Sequence, residues 1–272
     1  MPSFINRLWF TSPASLTSAL CRRMRRLRER EEWQRVQAGP ALSIELLVPV
    51  PLTSWALEMV NGTFDAFLYE VIRRHIKLDG ARCWDIGAHV GYHSLALANQ
   101  GAEVVAFEPV RANQTRLRLH MERNALLAPR IRVIPNAVAD KDGEMTFVVS
   151  EEMKGESTGS HLATALPPLR AAVYANFKKQ AVSTVTLDTL IQQQGERPPD
   201  VIKLDVEGAE HLVIRGGRTL LARYRPLLLV EVHHICAMFE LALMLWELGY
   251  TLEIIERERA EPSRCFVCAF HP

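Results

Sequence analysis

The sequence predicts an α/β fold, an open and mostly parallel sheet with helices on both faces. Three observations carry that expectation. Short apolar runs alternate with helical patterns from about Phe64 onward. The run Asp85-Ile-Gly-Ala-His-Val-Gly-Tyr92 sets a glycine turn between one such strand and the next helix. Carboxylates, Glu108 and Asp205 among them, close later strands, which is where an open α/β sheet holds a nucleoside-like ligand.

Residues 1–42 read as a helical, basic accessory segment ending near Gly39-Pro40, and residues 43–272 as the main domain. The run Arg22-Arg-Met-Arg-Arg-Leu-Arg-Glu-Arg30, with Leu20, Met24, Leu27 and Trp33 on one side, reads as a solvated amphipathic helix. With Arg7, Ser3, Ser12, Ser15 and Ser18 it also suits a mitochondrial transit peptide or a helix lying on an anionic membrane. Ser43 to Val50 supplies a peripheral strand. Phe64 to Ile76 has helical spacing at Phe67, Val71 and Ile72 and stops at Asp79-Gly80.

The βα rhythm follows. Cys83 to Ile86 ends a strand, Tyr92 to Asn99 is a helix, Glu103 to Phe107 a second strand and Arg111 to Asn124 a long helix. Ile131 to Ile134 is a third strand, and Glu144 to Val149 adds a strand or hairpin after the turn Asp142-Gly143. Residues 150–181 break the pattern with Gly155, Gly159 and Pro167-Pro168, so they predict a long irregular loop near the substrate. A helix over Leu187 to Gln194, a strand over Val201 to Leu204 and a single helix from Ala209 to Leu221 come next. The apolar strand Leu227 to Val232 precedes a core-facing helix that includes Phe239 to Leu248. The last two runs, Thr251 to Ile255 and Cys265 to Phe270, are joined by a short turn-rich gap and should pair antiparallel.

Composition narrows the function. With 48% hydrophobic residues and a formal net charge of +1 over 272 residues, the chain suits one large core or a core with a small appendage. No nucleic-acid partner is expected, because phosphate binding shows as a strong basic excess. No apolar h-region follows a charged start, and no span is long enough to cross a bilayer. The cysteines, Cys21, Cys83, Cys236, Cys265 and Cys268, are odd in number and predict a reducing, cytoplasmic setting. Cys265 and Cys268 have zinc-ligand spacing but no second pair, and a strand aims them to opposite faces, so they read as buried thiols.

The strand ends carry the chemistry. After the first strand, Asp85, Gly87, Ala88 and Gly91 bring a carboxylate, a close-approaching backbone and the free N–H groups of a helix start together. Glu108 lies about twenty residues on, where an acid takes hydrogen bonds from ribose hydroxyls; its structural alternative is a cap on the following helix. His89 and His93 are four apart, but the intervening Gly91 at the helix start separates their faces, which argues against a metal pair. Asp205, Glu207 and Glu210 end one strand behind Lys203, and Glu231, His233 and His234 end its neighbour. Asp205, then His233, then Glu231 are the candidate bases, and Glu210 reads as a surface or capping acid. The same carboxylates and histidine could instead hold a divalent metal such as magnesium.

These motifs, in this order, resemble the FkbM family of S-adenosylmethionine-dependent methyltransferases. The likeness rests on the Asp85 to Tyr92 turn, Ala106-Phe-Glu-Pro109, Asn136-Ala-Val-Ala-Asp140 with Gly143, Ser157-Thr-Gly-Ser160, Val185-Thr-Leu-Asp188 and Ile202-Lys-Leu-Asp-Val-Glu-Gly-Ala-Glu210, and runs from about Phe64 to His233. It implies a Rossmann-like class I methyltransferase with a seven-stranded sheet and a reversed C-terminal hairpin. It also implies that the methionine part of the cofactor lies over Asp85, Gly87, Ala88 and Gly91, the ribose on Glu108 and the adenine near Asn136 and Ala137. Glu207, Ser157 and Thr158 would meet the acceptor. His89 stands where the family more often has asparagine, and His93 where an aromatic is more usual.

The function expected is therefore O-methylation of a hydroxyl on a sugar, glycan, lipid or secondary metabolite. Two rivals share part of the pattern. A nicotinamide-dependent oxidoreductase also wants a glycine turn and a ribose acid, but the full Gly-x-Gly-x-x-Gly fingerprint is missing. A cofactor-binding module without catalysis is the other, and Asp85, Glu108 and Asp205 together speak against it.

Overall fold

A computed structural model describes residues 30–149, 161–162, 178–255 and 265–272. Its frame is a seven-stranded sheet built from β3 (Arg82–Ile86), β4 (Glu103–Phe107), β5 (Ile131–Ile134), β10 (Val201–Leu204), β11 (Leu227–Val232), β12 (Thr251–Ile255) and β13 (Cys265–Phe270). The spatial order is β12-β13-β11-β10-β3-β4-β5. β5, β4, β3, β10 and β11 run parallel, whereas β13 is antiparallel to both β11 and β12. The reversed terminal hairpin expected from the sequence is thus present.

The central strands are apolar on both sides because helices cover both faces. All six residues of β11 are buried. Strand alternation then sorts side chains between two cores. Cys83, Val104, Val201 and Leu229 pack on one face, toward α1 (Ser54–Asn61), α2 (Ala66–His75) and α3 (Tyr92–Asn99). Trp84, Val105, Ile202 and Val230 pack on the other, toward α5 (Leu187–Gln192), α6 (Glu210–Arg215), α7 (Arg218–Tyr224) and α8 (Ile235–Glu247). By the same alternation Asp85, Lys203 and Glu231 point to the first face at the C-terminal ends of their strands. There β3 lies between β10 and β4, the topological switch point of the sheet.

Three features differ from the sequence reading. Trp33, expected on a helix, lies in β1 (Arg30–Arg35), which pairs antiparallel with β2 (Glu45–Val50). That hairpin is docked on the domain. The His120 ring, on α4 (Arg111–Arg123), accepts the Leu47 N–H through Nε2 at 3.0 Å and donates through Nδ1 to the Val90 carbonyl at 2.8 Å.

Secondly, the stretch read as irregular contains strands. β7 (Gly143–Val149) pairs antiparallel with β8 (His161–Leu162) and with β9 (Lys178–Val185), and β6 (Ala137–Val138) completes a four-stranded sheet. Along β9 the first residues are mostly exposed, which hides the alternation from a reading of the sequence. Thirdly, the helix expected over Ala209 to Leu221 is broken into α6 and α7 at Gly216-Gly217. A Cβ on Gly216 would stand 2.1 Å from the Ala139 carbonyl oxygen, so this close approach stops one helix and starts another. The helix that includes Phe239 to Leu248 buries Ala237, Leu241 and Leu245 and leaves Ile235, Phe239, Leu243 and Trp246 exposed, so only one of its apolar faces meets the core.

Candidate active site

The glycine turn links β3 to α3. Gly87 and Ala88 both donate to the Phe107 carbonyl at 3.0 Å, which draws the turn against the end of β4. Gly87 is left-handed, with φ +85°, and a Cβ there would lie 1.8 Å from the Asp205 carbonyl oxygen. The turn is therefore pressed directly onto the end of β10. Gly91 caps α3 in the left-handed region, and the first N–H groups of that helix have no intrahelical partner.

Two carboxylates flank the turn in different ways. Asp85 is sealed from solvent; its Oδ2 accepts from the Ser94 hydroxyl at 2.6 Å, and its Oδ1 has no hydrogen-bond partner but lies 3.6 Å from Lys203 Nζ. Glu108 is also buried. Its Oε2 accepts the His89 N–H at 2.8 Å, while Oε1 accepts the Val110 N–H at 2.8 Å and the Asn113 amide at 3.3 Å. Burial raises its pKa to about 7, and these three hydrogen bonds pull it back only in part. Asn136 and Ala137 follow β5, half-buried and buried respectively.

The two histidines of the turn have different surroundings, and the buried His89 Nε2 has no hydrogen-bond partner. His89 is left-handed, with φ +51°, and burial lowers its pKa to about 4, so its ring is neutral. His93 is bonded through Nδ1 to the Tyr69 hydroxyl at 3.0 Å, with Nε2 3.5 Å from Asp65.

Across the switch point, the ends of β10 and β11 bring Asp205, Glu207, Glu231 and His233 together. His233 is 6% exposed. Its Nδ1 lies 2.8 Å from Glu210 Oε1, and its Nε2 faces Glu207 at 3.4 Å, Asp205 at 3.6 Å and Glu231 at 3.9 Å without a hydrogen bond. Burial disfavours the charged ring, but the Glu210 bond and the charges of Asp205 and Glu207 outweigh it and raise the pKa to about 10. A ring so held donates rather than accepts a proton at neutral pH, which places it badly for the role of base. Lys203, although buried, is likewise held charged by Asp205, Asp85 and Glu231.

Glu210 is the residue that sequence reasoning misjudged. Instead of lying on the surface it is wholly buried, and Oε1 accepts the Gly208 N–H at 2.8 Å as well as the His233 ring N–H. Its burial depends on His233, which lies 23 positions later, just past the end of β11, so no local pattern announces it. His234 fixes the same turn from the other side. Its Nδ1 caps α8 by accepting the Ala237 N–H at 3.0 Å, so Nε2 carries the hydrogen that reaches the Gly208 carbonyl at 3.2 Å. Glu207, between these anchors, is left-handed with φ +56°. Ser157 and Thr158 lie outside the described residues.

A cavity among Arg82, Glu103, Arg130, Arg132, Glu196 and Arg197 opens at the opposite, N-terminal edge of the strands. Its arginines are committed to Glu103, Glu196 and backbone carbonyls, and it is remote from these strand ends.

A seven-stranded sheet with a reversed hairpin, a glycine turn and an acid-ended neighbouring strand is the fold of the class I methyltransferases. Residues 85–252 match the methyltransferase FkbM domain, and the chain belongs to that family. Over 181 residues it is 28% identical to the hexuronic acid methyltransferase AglP of Haloferax volcanii, a match that covers 65% of this chain and 66% of that protein. It also shares its fold with the FkbM methyltransferase of Methylobacillus flagellatus KT. That likeness has a TM-score of 0.51 and 18% identity, and covers 71% of this chain and 44% of the other. The chain thus spans just under two thirds of the curated relative and less than half of the solved one.

Proposed function

We propose that this protein transfers the methyl group of S-adenosylmethionine to a hydroxyl oxygen of a sugar or sugar-acid acceptor, free or within a glycan. One observation carries the reading: the glycine turn of the cofactor side and the carboxylate cluster of the opposite side meet at backbone contact, Gly87 against Asp205. The sugar acceptor is drawn from the resemblance and from the relative named as a hexuronic acid methyltransferase.

The residues present fit the cofactor. Asp85 Oδ1, buried without a hydrogen-bond donor, is an acceptor for its ammonium group or a bridging water. Glu108 Oε2 has a single protein donor and one lone pair left for a ribose hydroxyl. Gly87, Ala88 and Gly91 would shape the wall around the methionine part, and Asn136 with Ala137 would border the adenine.

Bound there, S-adenosylmethionine supplies an electrophilic methyl: an O–C bond forms, the S–C bond breaks, and its electron pair stays on sulfur. Asp205, the least buried of the cluster with Glu207, accepts the hydroxyl proton. Glu231 and the Lys203 ammonium hold the charge around it, and Glu207 positions the acceptor.

The test is a labelled-methyl screen with the full chain against hydroxylated acceptors, including glycosides of uronic acids, followed by mild alkali. Label that resists alkali marks an ether and supports the reading. Label that alkali removes marks a methyl ester and overturns the hydroxyl assignment. Binding of NAD with none of S-adenosylmethionine would overturn the whole reading in favour of a dehydrogenase.

A further inference from the structure

We propose that Asp205, Glu231 and His233 form a binding site for a divalent cation of the magnesium or manganese type, with Glu210 as the positioning residue that aims His233 at it. The inference rests on the reading of this cleft as the methyl-transfer site.

Among the described residues this is the group of three whose donor atoms lie within 4.8 Å of one another. In an octahedral shell at about 2.1 Å, neighbouring ligand atoms are about 3 Å apart and opposite ones about 4.2 Å. The distances of 3.6 Å and 3.9 Å from His233 Nε2 to Asp205 and Glu231 fall inside that span. A small closure completes the set, with waters or acceptor oxygens in the remaining positions.

A second observation points to the ligand independently of the acids. His233 is more than nine-tenths buried, and its Nε2 makes no hydrogen bond although it is aimed into the cluster. Its other nitrogen is committed to Glu210, which is itself held by the Gly208 N–H. A carboxylate behind a histidine fixes the ring, so that a cation displacing the Nε2 proton meets a lone pair already aimed at it, which is how ligating histidines are oriented. Charge agrees. Asp85, Asp205, Glu207, Glu210 and Glu231 crowd this corner against the Lys203 ammonium, an excess that a divalent cation relieves.

The site gives the acceptor a reason to dock. A sugar acid would be repelled by bare carboxylates, whereas an open position on the cation takes its oxygens. A hydroxyl held there is more acidic, so Asp205 can contribute one oxygen to the cation and still receive the proton on the other, Lys203-facing oxygen.

The test is manganese binding to the chelator-treated full chain, followed by electron paramagnetic resonance. One bound Mn²⁺ per chain, displaced by excess Mg²⁺, is expected. Asp205→Asn, whose side chain is partly exposed and safe for folding, should abolish it, and Glu210→Gln should weaken it about 10- to 100-fold. Calorimetry with S-adenosylmethionine shows that each variant is folded. Absence of Mn²⁺ and Mg²⁺ binding in protein that binds S-adenosylmethionine overturns the inference, as does Asp205→Asn with unchanged Mn²⁺ affinity. Methyl transfer undiminished in excess chelator overturns the cation and leaves the proposed function standing. Mn²⁺ bound at these residues in a protein that methylates no acceptor supports the cation and overturns the function.

Discussion

Glu108 and Glu210 are both carboxylates closed off from water, one on each side of the switch point, and they are met in opposite ways. Glu108 is met by neutral donors, two backbone N–H groups and an amide, and keeps a proton up to about pH 7. Glu210 is met on Oε1 by the Gly208 N–H and by a histidine ring that three further acids crowd, while its Oε2 has no hydrogen-bond partner. The proposed cofactor side is therefore a preformed cradle of dipoles, whereas the proposed acceptor side is a concentration of like charge. A cradle of this kind binds with little rearrangement; crowded charge is suited to moving a proton or holding a cation.

The sharpest way to break this division is Asp205→Ala. Methyl transfer should fall by about 10²- to 10⁴-fold, while calorimetric affinity for S-adenosylmethionine changes by less than about threefold. A comparable loss of affinity would place Asp205 on the cofactor side as well. The reciprocal variant, Glu108→Ala, should weaken S-adenosylmethionine by about 10- to 100-fold, the worth of a hydrogen bond to a charged group. Retained affinity would remove Glu108 from the ribose.

Proton linkage sharpens the same contrast. Because burial raises the Glu108 carboxyl to about 7, stability from its retained proton is present below the ordinary carboxylate range and is lost as pH rises through about 7. Cofactor affinity runs the other way and should tighten about tenfold between about pH 6 and pH 8 if the carboxylate is the binding form. Glu108→Gln should flatten that dependence. The smallest effect on ligands is expected from Tyr69→Phe, behind both sides. It strips His93 Nδ1 of its partner and should lower stability by about 1–3 kcal/mol, read from denaturant melts, with cofactor affinity unchanged.

Much of the frame was legible because the strands β3, β4, β10 and β11 are short apolar runs with turn residues at their ends, and burial on both faces needs little more. The cluster Asp205, Glu231 and His233 was legible for the same reason: each ends a recognisable strand. What escaped depended on distant chain. The pairing of β7 with β9 joins segments separated by residues that carry loop composition. Glu210 looks like any acid at a helix start until the histidine just past β11 closes over it. Trp33 fitted a basic helix on spacing alone, yet its partner strand, β2, lies beyond the Gly39-Pro40 break.

The contact between the Gly87 turn and the Asp205 carbonyl has a consequence for redesign. A side chain at Gly87 would displace the Asp205 backbone, so the two sides of the proposed site share a seam. Variants designed to change the proposed acceptor should therefore leave that seam untouched and vary the rim from Glu207 outward.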